Sequence, residues 1–496
     1  MKYLLGLDVS TTGSKALLID EHGAVVASHT TSHPSNQPHP LWSEQNPADW
    51  WSGMVASIHK VLNQIHAADA IQAIGLTGQM HGLVCLDQDN HVLRPAILWN
   101  DQRTQAECDA ITQKIGAQRL IQLTGNRALT GFTAPKILWV RNHEPDVYAR
   151  IAHVLLPKDY IRFMLTGDYA TDLADASGML LLDVANRRWS DAVLNELDIP
   201  KEWLPKTYEG PEVTGVVSAS AAAMSGLKAG TPVVGGGGDQ AAQATGVGAV
   251  QPGIVALTVG TSGVVFAPLA RYAYEPDGRL HAFCHSVPGQ WHFMGVMLSA
   301  AGSLQWYRDT LAPAEDFGNL TDEAEDAPPG CEGLIFLPYL TGERTPHPDP
   351  LARGAFVGLT ARHARAHVTR AVLEGVAFGL RDGFELIRSS DAGVIREVRV
   401  SGGGARSRVW RQILADVLGV PLVVAEAIEG AAYGAALLAG VGGAVWPDVA
   451  TAAQATVKLG DRVEPGANAG VYEPVYRLYR DLYPMLKPAF DRLGAI

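Results

Sequence analysis

Residues 4–20 read LLGLDVSTTGSKALLID, and residues 254–269 read IVALTVGTSGVVFAPL. Each is an apolar run, a Thr/Ser/Gly turn and a second apolar run, which is the pattern of a β-hairpin. Laid together, Asp8 faces Thr258, Ser10 faces Gly260, Thr11 faces Thr261, Thr12 faces Ser262 and Gly13 faces Gly263. In the first copy the turn DEHG (20–23) leads to a third run, AVVASHTT (24–31). Glycine turns are common, so the hairpins alone decide little.

The elements that follow repeat as well. IQAIGLTGQMHG (71–82) and TPVVGGGGDQAAQATG (231–246) read as strand–glycine–helix units in the first half. In the second half the same reading fits REVRVSGGGARSRVWRQILADVLG (396–419), and then PLVVAE (421–426) with EGAAYGAALLAG (429–440). A meander followed by βα units, occurring twice, predicts a duplicated α/β fold with mixed sheets and a ligand cleft between the halves. The boundary is expected near residue 246, giving an N-terminal domain over 1–245 and a C-terminal domain over 246–496. The acidic stretch 315–333, with its Pro-Pro-Gly, reads as an exposed connection inside the second half.

The 496 residues can bury a large core, and 47% hydrophobic with 18% charged is ordinary for a globular enzyme. A net charge of -12 argues against a nucleic-acid partner, though not against a nucleotide held by backbone N–H groups. The cysteines (Cys85, Cys108, Cys284, Cys331) show no CxxC spacing, so reduced thiols are expected and a zinc site is not. The opening MKYLLGLDVS is interrupted by Asp8, and no window holds 18 uninterrupted apolar residues. Neither a signal peptide nor a membrane span is expected, and the location expected is cytoplasmic.

Three loops combine small residues with free backbone N–H groups and suit phosphate: Ser10–Gly13, Gly260–Gly263 and Gly402–Ala405. No GxxxxGK[ST] and no GxGxxG occurs among them. Asp8 ends the first strand beside such a loop. A carboxylate there repels phosphate unless a divalent cation lies between, as Mg²⁺ does; the alternative is an ordinary turn aspartate. Asp239, after four glycines and before a helix, is either a catalytic acid with cleared surroundings or a helix N-cap.

Several stretches resemble the FGGY family of carbohydrate kinases. They are GLDVSTTGSK, GFTAPKILWVRNH, LPKDYIRFMLTG, TDLADASGMLLLD, LPYLTGERTPH, GAFVGLTARHARAHVTRAVLEG and VSGGGARSRVWRQILAD, with HPLWSEQNPADWW, RPAILWNDQRTQAE and GGGGDQAA. The resemblance runs nearly the whole chain. It implies two ribonuclease-H-like domains of the actin/Hsp70/sugar-kinase superfamily, ATP, Mg²⁺, and γ-phosphoryl transfer to the 5-hydroxyl of D-xylulose. Ribulose, fuculose, gluconate or glycerol are the other acceptors to weigh, and a chaperone-like ATPase of the same fold is a rival from another class. The partners implied are a small sugar and ATP, not nucleic acid or membrane.

The resemblance also implies residue roles. Asp239 is the general base, Asp8 lies near the metal and phosphates, and Met80–His81 bind sugar. The phosphate turns contribute Thr11, Thr12, Gly260, Thr261 and Ser262. Gly402, Gly403, Gly404 and Ala405 build the adenosine pocket, with Gly434 nearby. Gln240 stands where relatives carry Asn, and DVSTTG has one glycine fewer than the usual D-x-G-T-[ST]-G. Gln79 joins Met80 and His81 as a polar donor beside an adaptable apolar surface and an imidazole, a set that suits a polyol. In ILWNDQR, Asp101 is a candidate for sugar hydroxyls and Trp99 for packing. Arg344 reads either as a phosphate contact or as a structural salt bridge. The aromatics of VYRLYRDLYPMLKPAF (475–490) read as core or as homodimer packing.

Overall fold

The computed structural model describes residues 2–65, 68–390, 392–426 and 429–494. Each half is built on a mixed sheet. In the first, the spatial order is Val25–Ser32, Gly13–Asp20, Tyr3–Val9, Ile71–Gly78, Pro232–Val234, Val213–Val216. In the second it is Trp291–Met297, Gly263–Leu269, Ile254–Val259, Glu397–Ser401, Leu422–Ala425, Leu459–Val463, with His281–Cys284 outside Trp291–Met297. The pairings also match in direction: antiparallel through the meander, parallel across the two central junctions, antiparallel at the far edge. The duplication read from the hairpins therefore extends through six strands of each sheet.

The gap-free alignment of the two turns does not hold. Val9 pairs with Ser14, leaving residues 10–13 in the first turn, whereas Val259 pairs with Gly263, leaving only 260–262 in the second. The strands before the turns correspond as expected, since Asp8 pairs with Thr77 in parallel where Thr258 pairs with Ser401.

One helix of each half packs on the sheet of the other. Ala241 and Ala244 of Asp239–Gly246 share a core with Ile254, Ala256 and Phe266. Ala432, Ala436 and Leu437 of Gly430–Gly442 share one with Leu4, Leu17 and Ile19. Where the two helices cross, a Cβ on Gly434 would lie 1.7 Å from the Ala242 carbonyl oxygen. Only glycine permits that approach. Gly434 is thus buried in the crossing of the two helices.

One further expectation needs correction, and one open choice is decided. The stretch 315–333 contains the helix Phe317–Glu323, capped by the Asp316 carboxylate on Asn319 N at 2.8 Å, and buries Leu320, Ala324, Ala327 and Cys331. Its acids face solvent but its apolar residues are core. In the final helix, Ala469–Leu493, Tyr472, Tyr476 and Tyr479 surround Phe378 inside the second half, so these aromatics are core. The four cysteines are buried and unpaired. Among the described residues no helix is long and apolar enough to cross a membrane.

Candidate active site

The two hairpin turns are closed from within. Ser10 N and Ser10 Oγ both donate to Gly13 O at 2.9 Å, leaving Thr12 exposed. In the second turn Gly260 N donates to Ser262 O at 3.0 Å, and Thr261 O accepts from Ala300 N at 2.8 Å. Thr261 is exposed and Ser262 half-buried. Gly402 lies against this turn with φ +93°, and a Cβ there would come within 2.6 Å of Val259 O. Gly403 is open, with nothing within 4 Å of a Cβ position, while Gly404 and Ala405 are buried beneath it. Turn and glycine entry thus form one small-residue floor on the second half.

The run of four glycines is explained by crowding on every side. Pro232–Val234 and Gly237–Gly238 both pair with Ile71–Gly78, so residues 235–236 are a bulge between them. A Cβ would meet Glu209 O at 2.4 Å from Gly235, Leu76 O at 1.8 Å from Gly236 and Met80 Cγ at 2.8 Å from Gly238. Gly236 also has φ +73°. Asp239 then opens the helix Asp239–Gly246 as its first residue; the cap position is Gly238, with no side-chain cap bond. The N-cap reading of Asp239 is therefore wrong.

Burial raises the Asp239 carboxyl to about 7, helped by the charge of Asp8 and opposed by hydrogen bonds from Gln240. Burial likewise lifts Asp8 to about 6, against the pull of Lys15, its cross-strand partner. Lys15 in turn pairs with Glu429 of the second half. Asp8 Oδ1 is buried and has no hydrogen-bond partner. A buried carboxylate oxygen without a donor, beside a second acid, fits a divalent cation, which would supply the missing ligand and offset the repulsion.

Met80 and His81 are buried beside this acid. His81 has φ +69°, and its carbonyl is held by Lys136 Nζ at 2.9 Å and Thr133 Oγ1 at 3.0 Å. Its Nδ1 donates to Gly178 O at 2.7 Å, so Nε2 is left as an acceptor. The ring packs 4.8 Å from Phe132. Burial first, then the charges of Lys136, His281 and Arg344, keep the imidazole well below its ordinary pKa and hence neutral.

Other candidates lie elsewhere in the hydrogen-bond scheme. Asp101 is fully buried; its carboxylate accepts from Ser43 N at 2.6 Å, Arg103 N at 3.0 Å and Arg103 Nη2 at 2.6 Å. It organises the loop and has no oxygen to offer a sugar. Trp99, expected to pack, is 36% exposed and donates from Nε1 to Thr11 Oγ1 at 3.0 Å. Gln79 is buried with both ends of its amide engaged by protein groups. Gln240 is half-buried, bonded to Asp239. Arg344 forms no ion pair among the described residues; its charge reaches His81 and His281.

Three residues escaped the sequence reading. Gln243, one turn after Asp239, donates across to Thr258 Oγ1 at 2.8 Å and Ser401 Oγ at 3.3 Å in the second sheet. Its spacing of four from Asp239 was the available signal. Lys136 and Lys158 are buried lysines, for which sequence carries no sign. Burial works against the Lys158 ammonium, but Asp159 at 2.5 Å, Asp172 at 2.7 Å and Asp175 at 3.6 Å outweigh it and hold its pKa up.

Fold and site together define a phosphotransferase: turn backbones suited to phosphate oxygens on both halves, and an acid beside the Met80–His81 loop on the first. Comparison with known proteins makes the class particular. Residues 3–246 match the N-terminal domain of the FGGY family of carbohydrate kinases, and residues 255–443 match its C-terminal domain. The chain belongs to the FGGY family of carbohydrate kinases, enzymes that use ATP. It is 42% identical to the xylulose kinase of Escherichia coli over 98% of its own length and 99% of that protein's. The xylulose kinase of Klebsiella pneumoniae is 44% identical over 88% of this chain and 89% of its own. Among solved structures, a xylulose kinase from Brucella ovis superposes with a TM-score of 0.92 at 41% identity, over 98% of this chain and 100% of that one.

Proposed function

We propose that this enzyme transfers the γ-phosphoryl group of ATP to the 5-hydroxyl of D-xylulose, giving D-xylulose 5-phosphate and ADP, in the cytoplasm. The reading is carried by Asp239, set at the head of a helix by a glycine bulge, beside the Met80–His81 loop and one strand from Asp8. Full-length likeness to xylulose kinases supports the choice of sugar.

In this mechanism an Asp239 carboxylate oxygen accepts the proton of the attacking hydroxyl, and Gln240 keeps the carboxylate oriented. The neutral His81 Nε2 accepts a hydrogen bond from a second sugar hydroxyl, and Met80 covers carbon. Backbone N–H groups around Thr11–Thr12 and Thr261–Ser262 hold the phosphates, and Gly402–Gly403 form the floor under adenosine. Asp8 would hold Mg²⁺, which when bound neutralises charge on the phosphate oxygens. The base contributes about 10²–10⁴-fold, and fixing the two reactants contributes on the order of 7–11 kcal/mol.

The two halves divide the work, with residues 1–245 carrying sugar and base and 246–496 carrying adenosine. The test is ADP release with Mg-ATP and a panel of D-xylulose, D-ribulose, L-ribulose, gluconate and glycerol, beside a sugar-free control. Strong stimulation by D-xylulose above the others is expected. Equal ADP release with and without every acceptor would overturn the reading.

A further inference from the structure

One residue of the sugar loop does not touch the pocket. Gln79 precedes Met80–His81, yet it is 2% exposed and its amide is used up within the protein. Its Oε1 accepts from Thr11 Oγ1 at 3.2 Å, and its Nε2 donates to Gln45 Oε1 at 3.0 Å. Gln45, 1% exposed, closes the circuit by donating from Nε2 to the Thr11 carbonyl at 2.7 Å, while Trp50 Nε1 donates to its Oε1 at 3.0 Å. Trp99 donates to Thr11 Oγ1 from the other side. Thr11 is therefore gripped through both its hydroxyl and its carbonyl by residues outside its own turn.

We propose that Gln79 is a positioning residue that fastens the phosphate turn to the sugar loop, so that one buried amide sets the distance between phosphoryl donor and acceptor. The inference rests on the kinase reading for its function, but the fastening itself does not. Among the described residues the second turn has no equivalent: its Thr261 carbonyl is held by the backbone N–H groups of Ala300 and Gly302, both in its own half.

An in-line transfer is sensitive to small displacements of either partner, and a misplaced donor reacts with water more readily than with the intended hydroxyl. Loss of the Gln79 amide leaves Met80, His81 and Asp239 in place while taking away the acceptor of the Thr11 hydroxyl and a donor to Gln45. Sugar binding should persist, and transfer to sugar should fall relative to hydrolysis.

Two measurements on the full chain test this. In the free protein, hydrogen exchange of a peptide covering residues 10–13 should speed up at least ~10-fold in Gln79→Ala; exchange at the wild-type rate overturns the fastening, whatever acceptor the enzyme uses. In turnover with the best acceptor of the wild type, Gln79→Ala should lower kcat ~10–100-fold, leave the acceptor KM within about 3-fold, and raise the ratio of ADP to phosphorylated product above one. Gln79→Glu, whose buried carboxyl in its protonated form accepts from Thr11 and donates to Gln45 Oε1, should recover part of kcat and bring the ratio back towards one. A raised KM at unchanged kcat would make Gln79 a sugar contact and sink the proposal. Absence of turnover in the wild type would count against the kinase reading alone, since the exchange measurement stands without it.

Discussion

Asp8 and Asp239 are held one strand apart. Asp8 pairs with Thr77, Thr77 pairs with Gly237, and Asp239 follows two residues later. Two carboxyls so placed, both drawn out of water, raise each other's cost of ionisation. The ends of two strands from opposite ends of the first half's sequence thus create a local electrostatic stress at the head of the helix Asp239–Gly246.

That stress has a pH signature in stability. The Asp239 carboxyl titrates near 7 in the folded protein against an ordinary 3.8, so the fold favours its protonated form. Its stabilising contribution is complete below about pH 4 and is lost as pH rises through 7. Asp239→Asn should therefore raise Tm at pH 8 by on the order of 2–4 °C, with the difference closing towards pH 4. Calorimetry across pH checks this; a variant less stable than wild type at pH 8 would contradict it.

Catalysis should respond in the opposite sense. Asp239→Ala is expected to lower kcat by about 10²–10⁴-fold while nucleotide Kd stays within a few-fold. Steady-state kinetics beside calorimetric nucleotide titration separates the two. Near-normal turnover would remove Asp239 from the role of base.

His81 and Asp101 should part company when substituted. His81→Phe keeps the ring against Phe132 but removes the Nε2 acceptor, and sugar KM should rise ~10–100-fold with ATP KM unchanged. Asp101→Asn weakens the buried pairing with Arg103 Nη2 at 2.6 Å, so it should cost about 3–5 kcal/mol of stability. Sugar KM of the folded Asp101→Asn enzyme should stay within about 3-fold of wild type, a comparison that thermal melts and sugar titrations together decide.

Gly434→Ala inverts the usual rule for helices. Alanine in a helix interior is better than glycine by about 1 kcal/mol, yet here the added carbon meets a carbonyl oxygen at 1.7 Å. The two crossing helices would have to separate, at a cost of about 1–3 kcal/mol. A lowered Tm is expected; a raised one would show that the crossing yields easily.

Much of the architecture was legible because hydrophobic periodicity and turn chemistry are local. The hairpins at 4–20 and 254–269 announced a duplication, and the chain order of strand–glycine–helix units carried it through both sheets. The one-residue difference between the turns was not legible. TTG and TSG look alike in letters, and only the cross-strand pairing of Val9 with Ser14 against Val259 with Gly263 separates them.

Side-chain assignments divide along the same line. Asp239 and His81 stand out in sequence because glycines flank them, and glycine marks crowding, which has a local signature in GGGGD and MHG. What surrounds them does not. Asp101 is as polar in sequence as Asp239, but Arg103 and Ser43 occupy it completely, and Gln79 sits one residue from the pocket while its amide turns to Thr11 and Gln45. Gly434 reads in sequence as part of a small-residue helix near adenosine, and in the structure the helix from the other half lies across it. Composition and order of residues along the chain determined that this is a duplicated α/β enzyme with an acid at the end of a glycine run. Which polar groups remain free for a ligand was decided only in three dimensions, because hydrogen bonds and helix crossings between residues tens to hundreds of positions apart consume the rest.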